Sequence, residues 1–125
     1  GVEKALVDWR ALLRPGGVLV FSDMVWRTDT PEDEVRAFWA AEYPAMTTPA
    51  TRVLQARRAG YHVLGHFDVG CEAMDAYYRP LAARLDDLEP DLAGSRVLND
   101  LRREIAAFEA GRGQCGYEMF VLERA

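Results

Sequence analysis

The run from Leu12 to Asp23, LLRPGGVLVFSD, restricts the possible folds of this chain more than any other stretch. Ahead of it, Val2, Ala5, Leu6, Trp9, Leu12 and Leu13 fall on one helical stripe. Pro15 cannot continue a helix, and Gly16-Gly17 permit a sharp reversal. Val18 to Phe21 then form a continuous apolar run rich in β-formers, the pattern of a strand covered on both faces of an α/β sheet. Asp23 reads as an acid at the carboxyl tip of that strand. Helix, tight turn and buried strand together predict the α/β class.

The remaining pattern repeats these units. Thr30-Pro31 followed by Glu32-Asp33 reads as a helix start, with Thr30 as N-cap, Pro31 in the first turn and acids near the positive end. That helix presents Val35, Phe38, Trp39 and Tyr43 and ends before Pro44. Thr48-Pro49 opens another helix, which Gly60 closes. Tyr61 to Val69 alternates as a second strand, with His62 and His66 on one face. Met74–Leu88 and Ser95–Ala110 read as helices, Gly111–Gly116 as a turn, and Tyr117–Leu122 as a closing strand. Three strands and about five helices in one unit are expected, without repeats or a linker.

The 125 residues are enough for one domain with its own core. A net charge of −5 with scattered arginines gives no concentrated basic patch for nucleic-acid phosphate. No apolar run nears the roughly 20 residues that span a bilayer, and no signal-peptide pattern is present. Neither nucleic acid nor membrane is an expected partner, and the cytoplasm is the expected compartment. Cys71 and Cys115 lack neighbouring Cys or His at zinc-ligand spacing, so two buried free thiols and no metal are expected.

In order, the motifs resemble the C-terminal half of class I S-adenosylmethionine-dependent methyltransferases of the type-11 kind. LLRPGGVLVFSD, Ala59-Gly60-Tyr61 at the entry to the second strand, and the closing GYEMFVLER carry the likeness. Trp26, Thr28-Asp29, Phe38-Trp39, Tyr43-Pro44 and Tyr77-Tyr78-Arg79-Pro80 bring it closer to one uncharacterised bacterial subgroup. The resemblance implies a Rossmann-like fold in which these strands are the fifth, sixth and seventh of a mixed sheet. The seventh is antiparallel and lies between the other two. It implies a front half upstream of Gly1 that binds S-adenosyl-L-methionine, so no cofactor-binding residue is assigned here. Residues 1–125 are then the C-terminal part of a methyltransferase domain, with cap helices at 31–43 and 74–110.

One pattern points elsewhere. Gly111, Gly113 and Gly116 spell G-x-G-x-x-G, but the phosphate-binding motif runs strand, glycines, helix, so that free N–H groups of the helix start face the ligand. Here the predicted order is helix, glycines, strand. A helix end and turn is the better reading, which leaves a nicotinamide-dependent enzyme weakly supported.

Ligands of open α/β sheets bind outside the carboxyl ends of the parallel strands. Asp23 sits there as candidate catalytic residue, to orient or deprotonate an acceptor; capping of the following turn is its alternative role. Trp26 in the next loop, with Tyr43, Tyr77 and Tyr78 on the cap, are candidate substrate-binding residues, each with core packing as its alternative. Trp39 continues the apolar stripe. His66 is a lesser candidate base, and a helix N-terminal turn accounts for Glu72 and Asp75. Most of the helix arginines read as a solvated face. The expected function is the substrate-side half of a methyltransferase acting on a small molecule, inactive by itself. The alternative is a non-enzymatic interaction or dimerisation module, forming a homodimer through an exposed strand edge or the cap helices.

Overall fold

In the computed structural model, which describes residues 1–125, the turn at Pro15-Gly16-Gly17 has a form that only glycine meets. Gly16 has φ +70°, a left-handed conformation that a Cβ disfavours. The Gly17 N–H donates to the Arg14 carbonyl at 2.8 Å, and a Cβ on Gly17 would lie 2.8 Å from that same oxygen. The turn joins α1 (Val2–Leu12) to β1 (Val18–Trp26). There follow α2 (Asp33–Glu42), α3 (Pro49–Arg58), β2 (Tyr61–Asp68), α4 (Cys71–Leu88), α5 (Arg96–Ala110) and β3 (Cys115–Arg124).

The sheet order is β1-β3-β2. β3 runs antiparallel to both neighbours, so β1 and β2 point the same way without touching. The central antiparallel strand agrees with expectation. Within this chain, however, every hydrogen-bonded pair is antiparallel; the three strands alone are not a mixed sheet.

Side-chain alternation divides the core between the two faces of the sheet. On one face Val25, Phe120, Leu122 and Tyr61 pack with Leu6 of α1 and Ala56 of α3. Phe21 stacks on Phe120 with ring centroids 5.2 Å apart. On the other face Met24 and Cys115 pack with Val35 and Trp39 of α2, Met46, Met74 and Tyr78 of α4, and Phe108 of α5. Fully buried side chains such as Leu6, Val25 and Phe120 contribute about 1.5–3 kcal/mol each. The second face is covered only toward the carboxyl end of β1. Val18, Val20 and Phe67, on the same face, remain 50%, 55% and 56% exposed.

Four details depart from expectation. β1 continues to Trp26, so Asp23 lies inside the strand and Trp26 ends it, instead of standing in a loop. α2 begins at Asp33, and Thr30 does not cap it; the Glu32 N–H donates to the Gln114 side-chain oxygen at 2.7 Å. α4 begins at Cys71, ahead of the expected start at Met74. Cys71 is exposed, while Cys115 is buried; both are free. No helix is long and apolar enough to cross a membrane.

Candidate functional site

A row of carboxylates crosses the sheet toward the carboxyl ends of β1 and β2. Asp23 pairs in register with Glu118 of β3, and Glu118 pairs with Asp68 of β2. Asp23 is in phase with Phe21 and Val25, and Glu118 with Phe120 and Leu122, so both acids point to the α1 and α3 side. They are 8% and 3% exposed. Like charges directly opposite each other on neighbouring strands destabilise a sheet, and unpaired buried charges do so far more. Each acid therefore needs its own cation.

Asp23 finds Arg52 of α3. The Arg52 Nε donates to Asp23 Oδ2 at 2.6 Å, and the Tyr43 hydroxyl donates to Oδ1 at 2.8 Å. Arg52 Nη2 also donates to the Tyr43 oxygen and to the Ala45 carbonyl, both at 2.8 Å, and Nη1 donates to Gln55 at 2.7 Å. α3 is positioned for this by Thr48, whose hydroxyl accepts from the Thr51 N–H, with Pro49 at the first helical position. Burial pushes the Tyr43 phenol above its ordinary value, and the Asp23 carboxylate pushes it the same way against the opposing pull of Arg52. The cluster ties β1, the end of α2 and α3 together, with all three guanidinium nitrogens bonded inside the protein.

Glu118 finds Arg27, just past β1. The Arg27 guanidinium pairs with Glu118 Oε2, with Asp68 at 2.8 Å and with the Tyr117 carbonyl at 2.9 Å. The other oxygen, Oε1, meets Nδ1 of His66. His66 also stacks against Phe120, with ring centroids 5.8 Å apart. Unlike Asp23, this group reaches the surface: the His66 side chain is 40% exposed. It lines an open cleft of about 700 Å³ together with Trp26, Arg27, Thr28, Asp29 and the start of α3 at Thr48–Ala50.

The expected substrate-binding residues are not gathered at one place. Trp26 packs partly against the α2/α4/α5 core and lines the cleft. Tyr43 is held by Asp23 and Arg52. Tyr78 is buried, stacks on Phe108 at 4.6 Å and donates to Glu104 at 2.9 Å. Burial foremost, then Glu104, holds its phenol far above the usual tyrosine range. Tyr77 stands 59% exposed, edge-on to Tyr78. Neither Tyr77 nor Tyr78 lines the cleft at Trp26. Trp39 is core, as its stripe implied; its indole N–H lacks an oxygen or nitrogen partner and faces the Cys115 thiol, which burial pushes up.

Two sequence readings are corrected. Arg52 is 3% exposed and central, not part of a solvated face. His62 and His66 do not share a face: a bulge between Val63 and Gly65 pairs His62 with Glu123 but His66 with Phe120, on opposite sides of the sheet. The missed residues left a trace in the sequence, since Asp23 and Glu118 are acids in phase with inward apolar residues, and Arg52 stands four before buried Ala56.

The glycines at 111–116 form a helix end and turn. The Gly111 N–H donates back to Ala107, and the Gln114 N–H donates to the Gly111 carbonyl. β3 follows directly, so no helix start faces these glycines, and this chain by itself forms no cofactor cradle there. No group of three or more His, Cys, Asp or Glu is placed to hold a metal ion.

No family model matches the sequence, and no curated protein matches it. Solved structures do. A protein of Galdieria sulphuraria, provisionally identified as a sarcosine dimethylglycine methyltransferase, superposes with a TM-score of 0.78 at 14% identity, over 100% of this chain and 48% of its own. A SAM-dependent methyltransferase from Thiobacillus denitrificans, solved with S-adenosyl-L-homocysteine, gives 0.70 at 18% identity, over 100% and 53%. The [4+2]-cyclase SpnF gives 0.71 at 18% identity, over 98% and 43%. The chain thus spans about half the length of these structures. It has the fold of about half of these methyltransferase structures. The cyclase shows that this fold alone does not fix the reaction.

Proposed function

We propose that this chain is the substrate-side half of an S-adenosylmethionine-dependent methyltransferase acting on a small molecule in the cytoplasm, with the cofactor held by parts of the domain outside it. The observation that carries the reading is the β1-β3-β2 order with an antiparallel central strand, superposing over its whole length on methyltransferases. α2 and α4 leave from the carboxyl ends of β1 and β2, and α5 returns to the start of β3 at that same edge. These helices, residues 31–43 and 74–110, serve as the cap, and Trp26 is the aromatic wall of the acceptor site. Asp23 acts as a positioning residue: its carboxylate is already occupied, and it holds Tyr43, which with Tyr77 and Tyr78 belongs to the cap side. Methyl transfer depends above all on alignment of the acceptor, and a rigid acceptor wall supplies it.

The intact protein is expected to bind S-adenosyl-L-homocysteine in a calorimetric titration, and the isolated chain is not. Tight binding or turnover by the isolated chain contradicts this division of labour. Failure of the intact protein to bind contradicts the methyltransferase reading.

A second reading rests on the bare patch at Val18, Val20 and Phe67 and on the outer edge of β1, whose only bridge on that side is Val25 to Thr47. An uncovered edge strand pairs readily with another chain. In this reading the chain is a dimerisation module. Light scattering separates the two: a dimer that V18K/V20K returns to monomer favours the second, and a monomer throughout removes it.

A further inference from the structure

We propose that the cleft at the carboxyl ends of β1 and β2 binds a small protic molecule, an alcohol, phenol or amine, through Nε2 of His66, which Glu118 holds as the acceptor nitrogen.

A carboxylate oxygen only accepts hydrogen bonds, so the contact between Glu118 Oε1 and His66 Nδ1 places the ring proton on Nδ1. In the neutral form of the ring the lone pair is then on Nε2, which has no partner within the chain. Glu118 cannot turn away, because Arg27 occupies its other oxygen and is itself held by Asp68 and the Tyr117 carbonyl. Phe120 fixes the ring plane from below. Buried carboxylate, oriented imidazole and open cleft are thus aligned from the core outward. The cleft adds a flat apolar wall, Trp26, with Thr28 and Thr48 also in its lining. A ligand with an X–H group beside an apolar body matches this lining.

Bound there, the X–H donates to Nε2. If the proton transfers, X keeps the bonding electron pair, and the imidazolium formed is paired with Glu118. That the ligand is the methyl acceptor rests on the reading above; the tautomer and the binding do not.

Long-range ¹H–¹⁵N spectra of the histidine-labelled protein test both, with phenol as the probe. His66 is expected in the Nδ1–H form, with its Nε2 resonance moving saturably as phenol is added, and H66Q is expected to lose the saturable response of the Trp26 indole. An Nε2–H tautomer overturns the proposal. So does an Nε2 resonance that phenol leaves unmoved up to its solubility, or an H66Q protein that responds like the parent. Neither readout needs the cofactor, so failure here leaves the methyltransferase reading intact, and failure of that reading leaves these spectra as evidence for the cleft.

Discussion

Asp23 and Glu118 face each other across two strands, are buried to similar depth, and each owns an arginine, yet they end in different places. The Asp23 group closes on itself. Arg52 spends its donors on Asp23, Tyr43, Ala45 and Gln55, all within the protein. The Glu118 group is open, passing through His66 to a cleft. The difference is that a buried acid next to an arginine is not in itself a site. A closed network holds elements together, whereas a network that terminates in a half-exposed titratable ring has a free position to offer a ligand.

The largest expected effect comes from opening the closed group. R52M leaves Asp23 buried without its counter-charge and is expected to cost about 3–5 kcal/mol in urea unfolding. A loss below about 1 kcal/mol would mean that the group does not hold the fold. Y43F removes both the hydrogen bond donated to Asp23 and the one accepted from Arg52, and is expected to cost about 1.5–3 kcal/mol.

Alkaline pH acts on the same group. The folded-state pKa of Tyr43 is raised above its ordinary 10.0, mainly by burial and then by Asp23, while the unfolded phenol ionises normally. The stability it contributes is therefore fully present below pH 10 and is lost as pH rises through the folded value. Unfolding free energies measured across that range are expected to fall less steeply in Y43F than in the parent. The smallest effect belongs to the open group. H66Q changes a half-exposed ring and is expected to shift stability by less than about 0.5 kcal/mol, because its role lies with the ligand.

The fold was legible because its signals are local. Pro15-Gly16-Gly17, Thr48-Pro49, Gly60 and the apolar runs each dictate a turn, a cap or a strand within a few residues. The site was not, because its bonds join distant positions. Arg52 meets Asp23 across 29 residues, and Arg27 meets Glu118 across 91. In the helix sequence Arg52 looks like Arg57 and Arg58, and only its phase with Ala56 sets it apart. Ser22 and Asp23 hid the continuation of β1, although Phe21, Asp23 and Val25 keep strand alternation. The bulge at Val63–Gly65 had the same effect on the histidines: strict alternation put His62 and His66 together, and one extra residue moved them to opposite faces.

The contrast between a closed and an open group is tested most directly by the exchange of arginine Nε protons with solvent, read in one ¹H–¹⁵N spectrum of the unmodified protein. Arg52, sealed at 3% exposure, is expected to exchange far more slowly than Arg27, whose side chain is 19% exposed beside the cleft. Added phenol is expected to slow exchange at Arg27 and leave Arg52 unchanged. Equal rates, or protection of Arg52 instead of Arg27, would contradict the account.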